Sequence, residues 1–137
     1  MPSPEPVRPP VRAQLALPFT VDSVTEARHR LGDQLEAAGV NRVTVQTACV
    51  IVSELVANGV RHGRGGARPA LEVAWETRGE DLVISVADGG GASLPVVRPP
   101  DLDSDSGRGL MMVAGLSRRW SYDTSRGTTV RAEIELG

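Results

Sequence analysis

The chain has 137 residues, 40% of them hydrophobic, with a formal net charge of −2. That length supports one domain around one core, and the near-neutral charge argues against a nucleic-acid binder that works through a broad basic surface. All 15 basic residues are arginines; the absence of lysine excludes a P-loop and Schiff-base chemistry, so any phosphate site must use arginine, backbone N–H groups or a metal.

Residues 1–11 hold Pro2, Pro4, Pro6, Pro9 and Pro10 and read as an extended, disordered tail. They lack the basic and apolar regions of a signal peptide, and no apolar run along the chain reaches membrane-spanning length. The expectation is a cytoplasmic protein with no membrane contact, whose single domain occupies residues 12–137. Ala13 to Leu17 form a short strand that Pro18 stops. Ser23 with Glu26 has the spacing of a capping box, and a helix follows through Ala27, Leu31 and Leu35 to Gly39. Its other face is charged, which places it on the surface of the core.

Asn41 can cap the next helix, Arg42 to His62, the most apolar element of the chain. Cys49, the only cysteine, lies in its run T-A-C-V-I-V. This excludes an intramolecular disulfide and reads as a small core residue rather than a nucleophile. Gly63, Gly65 and Gly66 end the helix. Leu71–Thr77 and Asp81–Ala87 alternate as strands, and Arg78-Gly79-Glu80 joins them as an antiparallel hairpin. Asp88 to Ser106 has no regular pattern, and loops this long usually serve function or are disordered. A short helix starts near Gly107 and carries Leu110, Met111, Val113 and Leu116. The final strands, Arg119–Asp123 and Thr128–Leu136, meet at Ser125-Arg126-Gly127. Helices and strands are grouped rather than alternating, so the fold class is α+β: one mixed or antiparallel sheet with helices on one face.

Four constellations carry chemistry. Glu54, Asn58 and His62 recur at steps of four on the apolar helix and so share a stripe. Asn58 offers a neutral oxygen to a hard cation such as Mg²⁺, and Glu54 could take a proton from a hydroxyl or a water. The competing reading is a polar stripe packed against a loop. His62 at the helix C-terminus favours the dipole, and His29 is a surface residue. Asp88-Gly89-Gly90-Gly91 follows a strand: the aspartate can accept from an exocyclic amine and glycine admits a flat base, although Asp-Gly is also an ordinary turn. Gly107-Arg108-Gly109-Leu110 opens a helix and could present N–H groups to an anion, or act as a hinge. Gly127-Thr128-Thr129 would pass as a hairpin turn.

In this order the four motifs resemble the N, G1, G2 and G3 boxes of the GHKL ATP-binding superfamily. Within it the chain is similar to the stand-alone anti-sigma factor serine/threonine kinases, over about Ala13 to Leu136. The resemblance implies a Bergerat-type two-layer α/β sandwich with a mixed, mostly antiparallel sheet. It implies ATP and Mg²⁺ as cofactors, Glu54 as general base and Asn58 as magnesium ligand. Asp88 would read the adenine amino group, with Gly90 as the G1 glycine. The G2 segment Gly107, Arg108, Gly109 and Leu110 would meet the phosphates, and Thr128 would support the adenine pocket. Ala92 to Ser106 would be a short lid. Where the G1 pattern D-x-G-x-G calls for a second glycine, this chain has Ala92. The implied activity is phosphorylation of a serine on a STAS-domain anti-sigma factor antagonist, with sequestration of a sigma factor and a possible homodimer. The alternative is a non-catalytic ATP-binding adaptor. A histidine-kinase catalytic domain is disfavoured, because no phosphoacceptor hairpin precedes the ATP-binding region.

Overall fold

Period-two alternation in the strands and a wide apolar stripe on each helix give two layers their shared interior. The computed structural model describes residues 8–62, 69–88, 105–123 and 127–137, the side chains of 105–108 excepted. Its elements are β1 (Arg12–Leu17), α1 (Asp22–Ala37), α2 (Arg42–His62), β2 (Leu71–Arg78), β3 (Asp81–Ala87), α3 (Asp105–Leu116), β4 (Arg119–Asp123) and β5 (Thr129–Glu135). The five strands form one sheet in the order β1-β2-β3-β5-β4. Every pairing among the described residues is antiparallel, within the α+β sheet carrying helices on one face that the sequence predicts. The last strand in sequence is inserted between β3 and β4 rather than added at an edge.

Register sorts the side chains cleanly. One row runs Leu15, Val73, Val86, Val130, Tyr122 and the next Ala13, Trp75, Ile84, Ala132, Trp120. Val73, Ile84, Val86, Val130 and Ala132 are buried, and this face carries the helices. The opposite face reads Gln14, Ala74, Ser85, Arg131, Ser121 across the same strands, the polar alternation of a sheet with one wet side. Gly79, at φ +61°, turns the β2–β3 hairpin, since left-handed backbone favours glycine.

Helix α2 is the centre of the core. Val45, Ala48, Ile51, Val52, Leu55, Val56, Gly59 and Val60 are buried along it, and it touches β2, β3, β5, α1 and α3. Gly59 brings it close: a Cβ there would stand 2.6 Å from Leu71 Cδ2 and 3.4 Å from Val86 Cγ1. Asn41 caps α2 as its type and place predict, its Oδ1 accepting from the Thr44 N–H at 2.9 Å. Helix α1 lays Ser23, Ala27, Leu31 and Leu35 inward, and the Trp75 indole N–H donates to Gln34 Oε1 at 2.9 Å, tying α1 to β2.

Three expectations change. The capping box at Ser23 and Glu26 does not form. No side chain caps α1, and the Ser23 hydroxyl, buried, donates instead to the Pro18 carbonyl at 2.6 Å. Glu26 accepts from Arg30 one turn on at 2.7 Å. Second, α2 is long and apolar enough to cross a membrane by length and composition. It passes that test because sheet and flanking helices bury it on several sides. Third, Cys49 is half-buried rather than wholly internal; it lies against α1, where its thiol reaches the Arg28 carbonyl at 3.6 Å.

Candidate functional site

The polar stripe survives folding on the side of α2 that faces α3. Glu54 and Asn58 are both half-buried, whereas His62 in the last turn and His29 on α1 are exposed. The buried Leu55, Val56 and Gly59 fix the rotation of the helix. The four-residue step therefore places carboxylate and carboxamide one turn apart in a partly desolvated seam. The carboxylate meets α3 directly: an ideal Cβ on Gly109 would collide with Glu54 Oε2 and lie 3.4 Å from Glu54 Cδ. Buried Leu110 and Val113 anchor α3 on the core and hold Gly109 at this crossing.

The helix begins at Asp105, two residues earlier than the sequence pattern places it. Gly107 therefore lies in its first turn and Gly109 is its fifth residue. The side chain of Arg108 lies outside the described residues, as do Gly90, Ala92 and most of the expected lid.

Asp88 and Thr128 form a second cluster. Asp88 is only 4% exposed. Its Oδ1 accepts from the Thr128 N–H at 3.1 Å, and its own N–H donates to the Thr128 carbonyl at 2.9 Å. A buried carboxylate needs such partners. The reciprocal pair locks the end of β3 to the entrance of β5 across 40 residues of chain. Gly59 on α2 packs on Val86, two residues before Asp88, so the C-terminal half of α2 and the Asp88–Thr128 pair share one end of the sheet.

Sequence reasoning assigned Asp88 and Thr128 separate roles and missed their mutual bonds. It read Gly109 for its backbone and missed the space its absent side chain leaves for Glu54. Gly59, which sets how closely α2 approaches the sheet, was not singled out; a glycine inside an otherwise apolar helical run was the available signal.

The donors present suit a magnesium nucleotide. Among the described residues no group of three His, Cys, Asp or Glu side chains could hold a metal. A lone amide oxygen at Asn58 matches Mg²⁺, which keeps waters and takes its remaining oxygens from phosphates rather than from an all-protein cage. The rigid carboxylate of Asp88 matches an amine donor.

The model of the histidine kinase-like ATPase domain family matches residues 17–134, a span that includes all four motifs. A crystal structure of the RsbU and RsbW domains of a Mycobacterium tuberculosis protein is similar at a TM-score of 0.70 and 22% identity, over 93% of this chain and 32% of that one. The chain thus spans about a third of that structure's chain, and the likeness shows a shared fold. No curated protein matches.

Proposed function

The chain belongs to the histidine kinase-like ATPase domain family, and from that premise we propose that it is an ATP-dependent serine/threonine protein kinase. Its acceptor would be a serine on a STAS-domain anti-sigma factor antagonist, and its second partner a sigma factor that it sequesters. This is the cytoplasmic regulator of transcription that the motif series implies. The observation that carries the reading is the approach of the Glu54 carboxylate to Gly109 where α2 meets α3, with Asn58 one turn further along α2 toward the end of the sheet that holds the Asp88–Thr128 pair.

When bound, magnesium ATP supplies the transferable phosphoryl group and the cation that offsets its charge. The residues of the chain do the rest. Asn58 would hold the cation through its amide oxygen. Asp88, kept in place by the Thr128 N–H, would accept from the adenine amino group. The first turn of α3, including Gly107, carries N–H groups without intrahelical partners and the positive end of the helix dipole, and would hold the phosphates. Glu54 would accept the proton of the acceptor hydroxyl, so that catalysis is positioning plus charge stabilisation.

A second reading has one specific motive, Ala92 in place of the second G1 glycine: a nucleotide-gated adaptor that binds its partners without turnover. Calorimetric titration with Mg-ATP, comparing the wild type with Asp88→Asn, tests the pocket. We expect clear binding by the wild type and at least tenfold weaker binding by the variant, on the order of one lost charge-assisted hydrogen bond. Equal binding by both would overturn the assignment. Phosphoserine on an added STAS-domain antagonist then separates kinase from adaptor.

A further inference from the structure

The G2 glycine Gly109 has a use that its backbone does not explain. As the fifth residue of α3, its N–H has an intrahelical acceptor within reach, whereas the anion-binding N–H groups of a helix are those of its first turn. Its distinctive property is the missing side chain. An ideal Cβ there would occupy the place of Glu54 Oε2. Gly115, six residues on in the same helix, has nothing within 4 Å of its ideal Cβ, so of these two glycines only Gly109 stands against another group. Both elements are held from behind, α2 by Leu55 and Val56 and α3 by Leu110 and Val113, all buried. Neither helix can easily back away; the group free to move is the Glu54 carboxylate at the end of its flexible stem.

We propose that Gly109 is a positioning residue for the general base: its bare Cα forms the berth in which the Glu54 carboxylate stands. Any side chain at 109 evicts the carboxylate without unfolding the helix. This rests on the kinase reading of Glu54, but its physical core, a steric coupling between positions 54 and 109, can be tested without it.

The experiment uses the full chain as wild type, Gly109→Ala, Glu54→Gln, the double variant and Gly115→Ala. The Glu54 side-chain carboxyl carbon is observed by NMR and assigned by its loss in Glu54→Gln. We expect that resonance to move in Gly109→Ala and to stay in place in Gly115→Ala. A resonance unmoved by Gly109→Ala overturns the proposal. Turnover of saturating Mg-ATP, with water as acceptor, is the second readout. Gly109→Ala lowers kcat about tenfold or more in the wild-type background, a share of the usual general-base contribution, and changes the residual rate of Glu54→Gln by less than about twofold, as expected for residues acting as one unit. Equal factors in both backgrounds would mean that Gly109 acts on the phosphates, and would overturn the proposal. A wild type that hydrolyses no ATP removes only this second readout: phosphoserine on an added STAS-domain antagonist then tests the kinase reading, and the NMR comparison still decides this one. If Gly109→Ala fails to fold, Gly109→Ala in a Glu54→Ala background decides: recovery of the fold supports the berth, continued failure refutes it.

Discussion

Replacing Gly59 by alanine sets two known effects against each other. Alanine in a helix interior is favoured over glycine by about 1 kcal/mol. Against that, the new Cβ would lie 2.6 Å from Leu71 Cδ2 and 3.4 Å from Val86 Cγ1. Carbon pairs settle at about 3.5–4.0 Å, so the Leu71 contact is roughly 1 Å too short. Leu71 is 0% exposed and has no solvent to turn into, so either its rotamer or the seating of α2 on the hairpin must give. Overpacking of this kind costs typically about 1–3 kcal/mol. With the upper half of that range, the net loss is about 1–2 kcal/mol, a fall in Tm of roughly 3–6 °C for a domain of this size. Gly115→Ala is the internal control: nothing lies within 4 Å of its Cβ, so only the propensity gain remains and Tm should rise by roughly 3 °C. Thermal unfolding followed by circular dichroism reads both. A Gly59→Ala protein as stable as the wild type would refute the claim that this glycine sets the helix–sheet distance.

Asn41→Ala removes the acceptor for the Thr44 N–H and should cost about 1 kcal/mol in urea unfolding. Ser23→Ala removes the donor to the Pro18 carbonyl; a loss of about 1 kcal/mol is expected, whereas a capping-box serine would show coupling to Glu26→Ala in a double-mutant cycle, and none is expected here. Glu54→Gln should lower phosphotransfer by about 10²–10⁴-fold with Mg-ATP affinity kept within a few-fold, measured with labelled ATP and a STAS-domain acceptor. Burial raises the Cys49 thiol above its ordinary value of 9.0. The folded chain therefore holds that proton more tightly than the unfolded one. The corresponding stability is complete below pH 9.0 and falls as pH rises beyond it; Cys49→Ser should flatten that decline in denaturant titrations between neutral and alkaline pH.

Much of this fold was legible because local chemistry and global structure agree. The β2–β3 hairpin follows from two alternating runs around Gly79, and the start of α2 from Asn41 before an apolar helix. The capping box failed because the spacing of Ser23 and Glu26 is equally compatible with a serine already inside the first turn of the helix, which starts at Asp22. The nearby Pro18 carbonyl then outcompeted the backbone N–H groups. Strand order was beyond reach: alternation says which face a residue takes, but not that β5 enters between β3 and β4. The site shows the same divide. The Glu54–Asn58 stripe is written in a four-residue step. The contacts of Asp88 with Thr128 and of Glu54 with Gly109 join residues 40 and 55 positions apart, and no local pattern encodes them.

The placement of β5 has a consequence for how the protein comes into being on the ribosome. A chain synthesised as far as β4 has its two long helices and most of its sheet segments, but β3 and β4 have no strand between them, and Asp88 lacks the Thr128 amide that fixes it. The β3–β5 pairings join residues far apart in sequence, and such pairings form late. A nascent chain therefore cannot present a finished Asp88 pocket until the residues of β5 emerge. Stalled nascent chains with β5 absent and with β5 fully extruded should divide sharply in nucleotide retention; equal retention by both would show that the pocket matures without β5.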